Sequence, residues 1–155
     1  MTWRSKLLRA APAVLRIALG LIFAYAGWLK LRDPWQLFAG AIADYKIAPD
    51  WALEPLARGL PWVELGIGAL LAAGRWRRTA ATICSLLLAV FFALMVRAYA
   101  KGMEISCGCF GSERDVISWR TLLRDGSLLA AALAVTWIAY ARNRRPAANE
   151  PGAPA

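Results

Sequence analysis

Apolar positions gather into four long runs separated by short polar stretches. The first, PAVLRIALGLIFAYAGWLKL at 12–31, matches the roughly 20 residues that cross a hydrocarbon core. The second covers about 56–74 and ends in WVELGIGALLAAG, after Pro55 and Pro61. The third, TAATICSLLLAVFFALMVRAYA, covers 79–100, and the fourth, TLLRDGSLLAAALAVTWIAYA, covers 121–141. The first turn of the fourth is polar, which sets its membrane part from near Ser127 onward. The stretch DPWQLFAGAIADYKIAPDW at 33–51 has a different pattern. Trp35, Phe38, Ile42 and Tyr45 recur at helical spacing. Asp33 suits an N-cap and Pro34 the first helical position. This pattern predicts a short helix lying in the membrane interface. The expected fold is an all-α membrane protein, a four-transmembrane-helix bundle with that short helix between its first and second spans. Residues 1–141 form one domain. The tail 142–155, basic and then Pro/Ala-rich, is expected to be disordered and cytoplasmic.

The first run admits a second reading as a signal peptide. Met1 to Arg9 would be its basic region and AYA at 24–26 its cleavage site. Trp28 and Lys30 at the end of the run suit an interface anchor instead, which favours a retained helix.

Composition sharpens the class. Apolar residues make up 59% of the 155, above the roughly 45–50% of soluble domains. Mean hydropathy is +0.45. Lysine and arginine number 19 against 10 acidic residues, a net charge of +9. Such charge suits nucleic acid or a membrane surface. No basic helix with interleaved aromatics is present, which argues against nucleic acid. The charge instead orients the chain. Arg4, Lys6 and Arg9 precede span one, Arg75, Arg77 and Arg78 join spans two and three, and Arg142, Arg144 and Arg145 follow span four. The positive-inside rule puts all three clusters, and both termini, on the cytoplasmic side. In a bacterium this is an inner-membrane protein whose 101–120 loop faces the periplasm.

That loop carries ISCGCFGSER at 105–114. Cys107 and Cys109 therefore lie where disulfides persist. A disulfide across one residue closes a very small, strained and easily reduced ring. Gly108 permits the backbone angles it needs, and Gly111 can turn the chain back toward the bilayer. So short a loop contributes little as a staple. Three readings stay open: thiol–disulfide exchange, a Cu(I) clip formed with Met103, and an inert structural pair. A zinc site lacks ligands. The chain has no histidine, which excludes His-ligated haem, a Cys–His nucleophile and a Ser–His–Asp triad. Cys84, a quarter of the way into span three, reads as a buried small residue.

Glu64 stands inside span two, where a carboxylate turns toward the bundle interior. It can take up protons released by dithiol oxidation, or it can form a structural ion pair. Arg97 is the expected partner and Arg16 a second candidate. Lys30, at the exit of span one, is explained by snorkelling. Trp119 reads as an aromatic-belt anchor. Arg124 and Asp125 are expected to pair with each other's neighbours or with Glu64, and an arginine beside either loop cysteine would favour its thiolate. Gly20/Ala24, Gly66/Gly68 and Ala130 to Ala134 are expected to let helices approach closely.

CGCFG at 107–111, followed by Trp119 and LLRD at 122–125, resembles the MauE/DoxX family of redox-associated membrane proteins. The earlier matches are Arg16, Gly20, YAGWLKLRDPWQLF at 25–38 and LPWVELGIGALLAAG at 60–74. The stretch from CGCFG to LLRD is nearer the MauE side, and Cys84 is an addition to the pattern. The resemblance, which covers about 13–140, implies a four-helix membrane bundle. MauE-like proteins are linked to maturation of methylamine dehydrogenase, whose small subunit carries many disulfides, and their relatives appear beside thioredoxin-like proteins. The expectation is a thiol–disulfide redox protein that uses Cys107 and Cys109, with Phe110 in the same motif. Its partner would be a periplasmic thioredoxin-like protein or client, with a membrane quinone as a candidate electron acceptor. The rival expectation is a non-enzymatic assembly or transport subunit with a structural or Cu(I)-binding CxC.

Overall fold

The computed structural model describes residues 3–103, 105 and 117–141, with backbone alone for 3–10. Five helices follow one another: α1 (Trp3–Arg32), α2 (Trp35–Asp44), α3 (Asp50–Ala73), α4 (Arg77–Ala100) and α5 (Trp119–Ala141). No strand occurs among the described residues. The helices α1, α3, α4 and α5 each contain a stretch long and apolar enough to cross a membrane. The protein is a multi-pass membrane protein, and α2 is the short helix expected between the first two spans.

The four spans close into a ring. α1 packs on α3, α3 on α4, α4 on α5, and α5 on α1, while α2 lies against α3. The α1–α3 and α4–α5 interfaces are the most extensive. Glycine explains the first. A Cβ on Gly20 would stand 2.7 Å from both Ala72 N and Gly68 O, and one on Gly68 would stand 2.5 Å from Ala24 N. The two backbones are in contact, which only glycine allows here. Gly66, expected to share this role, has open space around it.

Helix ends depart from the sequence pattern in two places. α3 begins at Asp50, not near 56, and runs through Pro55 and Pro61. The helix carries both prolines in its interior. α2 begins one residue later than expected: Pro34 takes the N-cap place, with no side-chain cap bond. α5 opens on Ser118, whose N–H donates to Thr121 Oγ1 at 2.6 Å, while the Thr121 N–H donates to Ser118 Oγ at 3.4 Å. This reciprocal pair is a capping-box arrangement. α3 ends at Gly74 in the left-handed region, φ 71°, and a tight turn to Arg77 follows.

The turn at 74–76 marks one end of the bundle, here the arginine end. The connection from α4 to α5 marks the other, the loop end. α2 belongs to the loop end, because Tyr45 just beyond it packs with Met95, Ala98 and Ile117. The tail 142–155 lies outside the described residues.

Candidate functional site

At the loop end the described chain reaches Ile105 on one side and resumes at Ile117 on the other. These two residues are bonded, with the Ile117 N–H donating to the Ile105 carbonyl at 3.1 Å. Met103, Ile105 and Leu122 pack against a buried cluster of Tyr45, Met95, Ala98 and Ile117. Ile105 and Ile117 are thus held side by side against the end of α4. Cys107, Gly108, Cys109, Phe110 and Gly111 lie outside the described residues.

Beneath this base the bundle buries charge. Lys30 Nζ donates to both carboxylate oxygens of Glu64 at 2.7 Å. Lys30 is 4% exposed and Glu64 3%. The approach of the helices makes the pair possible: a Cβ on Gly27 would stand 2.7 Å from Pro61 O and 3.2 Å from Glu64 Cβ. With α1 this close to α3, the lysine one turn later meets the carboxylate. Its ammonium also lies 5.0 Å from the Phe38 ring centre on α2 and 5.6 Å from that of Phe91 on α4. Cation–π contact with two rings adds to the ion pair. Asp125 of α5, 5% exposed, faces the same small cavity of about 40 Å³, which Lys30 and Glu64 line. That volume exceeds the roughly 10–15 Å³ one water needs. All five helices thus send a side chain to this point.

Several expectations change here. Glu64 pairs with Lys30, not with Arg97 or Arg16. Arg97 Nη1 instead donates to the Tyr45 carbonyl at 3.2 Å, fastening the α2–α3 connection to α4. Arg16 donates to the Leu71 carbonyl and sits against Gly74, so its cation neutralises the C-terminus of α3. Lys30 is not at the lipid interface; snorkelling is replaced by burial because Gly27 draws its helix onto α3. The signal in the sequence was Gly27 itself, one turn before the only lysine in any span. Arg124 Nε bonds Asp125 Oδ1 at 3.3 Å, so these two pair with each other. Trp119, 61% exposed at the start of α5, suits an interface belt. Cys84 is 1% exposed in the core beside Leu71, Ala81 and Ala132.

A family model described as methylamine utilisation protein MauE matches residues 8–138. This chain belongs to the MauE family. Among curated relatives, a methylamine utilization protein MauE of Paracoccus denitrificans is 35% identical over 123 residues, 78% of this chain and 66% of its own length. The same-named protein of Methylorubrum extorquens is 32% identical over 136 residues, 84% of this chain and 73% of its own. A third, from Methylophilus methylotrophus, is 37% identical over 90 residues, 57% of this chain and 47% of its own. The chain thus spans about two thirds to three quarters of the first two relatives' length. No solved structure matches it. The family match runs across all five helices, from the backbone of α1 to near the end of α5. Lys30, Glu64 and Asp125 all fall inside it.

Proposed function

We propose that this MauE-family protein is a membrane thiol–disulfide redox protein that serves methylamine utilisation, in the maturation of a methylamine dehydrogenase-type enzyme. Cys107 and Cys109 are its reacting pair. Both termini lie on the cytoplasmic side and the loop end faces the periplasm, as the arginine clusters direct. The partner is a thioredoxin-like protein or the client itself. A partner thiolate attacks the Cys107–Cys109 disulfide, and one loop thiolate leaves. The second partner thiolate then attacks the mixed disulfide and frees the other loop thiolate. The partner loses two electrons and becomes a disulfide; the loop gains them and becomes a dithiol. Glu64 and Asp125, around their cavity beneath the loop base, are the groups within the bundle suited to handle the protons.

The observation that carries this reading is the bonded base at Ile105 and Ile117. It brings the two chain ends that flank the cysteine pair together at one end of the bundle, which suits the approach of a soluble partner. In the copper reading Met103 is the third ligand. Its side chain packs against the Tyr45 and Met95 cluster instead, which weighs for exchange.

The test is the reduction potential of the pair in detergent-purified Cys84→Ala protein, by thiol trapping across redox buffers. A reversible couple between about −270 and −120 mV, the span of known exchange proteins, is the expected result. A pair that stays reduced in every buffer, or never reduces, sinks the proposal.

A further inference from the structure

A second cavity opens on the outer surface of the bundle. It is a groove of about 310 Å³ between α2, α3 and α4, within the range of small-molecule sites. On α4 its wall runs from Ile83 to Leu94, about 16 Å along the helix at 1.5 Å per residue. Leu86 and Val90, both exposed, form its mouth. No lining residue carries a charge. Because α4 is a membrane-spanning helix, whatever enters the groove comes from the hydrocarbon.

Two features distinguish this groove from ordinary lipid-facing surface. Phe91 lines both the groove and the charged cavity, and the Lys30 ammonium stands behind Phe38 and Phe91. Tyr45, at the loop end of the groove, belongs to the cluster that seats Ile105 and Ile117. The groove therefore leads from the lipid to the base of the loop, and its inner wall is aromatic. A phospholipid headgroup would find no charged partner along that wall. A flat, weakly polar ring on an apolar tail fits both parts: the tail along α4, the ring against Phe38, Tyr45 and Phe91.

We infer that this groove binds an isoprenoid quinone of the bilayer. The inference rests on the thiol–disulfide reading for its chemical purpose. A loop dithiol must lose two electrons and two protons to become a disulfide again. A quinone gains the same two electrons and two protons to become a quinol, so the exchange balances with no other reactant.

The experiment uses the full chain in detergent with Cys107 and Cys109 both changed to Ser, so that binding is read without thiol chemistry. Decylubiquinone is titrated and bound quinone is measured by equilibrium dialysis. The same titration is run on Ala41→Phe and Val90→Trp, which fill the groove from α2 and from α4. Leu123→Trp, on the exposed face of α5, is the control. Saturable binding of one quinone per chain, weakened about tenfold or more in both groove variants and unchanged in the control, is the expected result. Absent binding, or equal binding in all four proteins, overturns the inference. So does equal displacement by didecanoylphosphatidylcholine, which would make the occupant an ordinary lipid. None of these results touches the reduction potential of the cysteine pair, so the two proposals fail separately.

Discussion

Toward the arginine end, the bundle interior holds Leu19, Leu71, Ala81, Cys84 and Ala132, packed without an ionised group among them. Toward the loop end it holds an ammonium and two carboxylates around a cavity. Both halves use the same device to bring α1 onto α3, a glycine whose missing Cβ lets backbones touch. In the arginine half that contact serves apolar packing, with Arg16 donating to the Leu71 carbonyl at its edge. In the loop half it delivers Lys30 to Glu64. A bundle stabilised only by packing has no need of the second arrangement, since well-packed apolar residues do as well as a buried pair or better. The contrast teaches that the loop half gives up packing to keep charge and space near the Ile105–Ile117 base.

The sharpest way to break the comparison is to remove one charge. Lys30→Met or Glu64→Leu alone should destabilise the protein by about 3–5 kcal/mol, because each strands the other charge in the interior. The double variant should recover most of that loss. Detergent-to-SDS titrations followed by circular dichroism measure all three. A double variant as unstable as its parents would show that Lys30 and Glu64 do not act as a unit.

Next in size is the glycine contact. Gly68→Ala should cost about 1–3 kcal/mol by overpacking, and Gly27→Ala a similar amount, in the same titration. The two should part company against the Lys30→Met/Glu64→Leu background. Gly27→Ala should lose part of its effect there, since some of its damage is to the ion pair, while Gly68→Ala should keep all of it. Smaller still, Cys84→Ala should cost about 1 kcal/mol as a small deletion in a packed core, and should leave the redox titration of the loop unchanged. Smallest is Ser85→Ala. Ser85 Oγ and Thr136 Oγ1 lie 2.9 Å apart and join α4 to α5; such a bond between membrane helices averages about 0.6 kcal/mol. A loss several times larger in thermal melts would mean that the apolar half, too, leans on polar contacts.

The four spans and the short α2 were legible because length and apolarity decide them, and both are local properties. The start of α3 was not, because proline reads as a boundary while the helix here continues through Pro55 and Pro61. Glu64 could be singled out as a buried carboxylate, but its partner could not. Choosing between Arg97, Arg16 and Lys30 depends on which helices touch and at what height. That is fixed by Gly20, Gly27 and Gly68 acting together across two helices. Arg97 lost its expected role to a backbone carbonyl, and a carbonyl has no signature in sequence. Arg124 and Asp125 were expected to pair with each other's neighbours or with Glu64, and the structure pairs them with each other. The groove left no trace in the pattern, because its lining comes from three helices that each read as plain apolar.

The bonded base at Ile105 and Ile117 has an evolutionary consequence. With Ile105 and Ile117 tied together, the chain between them can lengthen or drift in sequence without changing how these two positions meet the helices. Doubling such a segment raises its closure entropy by only about 0.6 kcal/mol. Lineages can therefore vary the sequence between these two positions while inheriting the helices intact. A transplanted segment from a relative should need only those two anchoring positions to be kept.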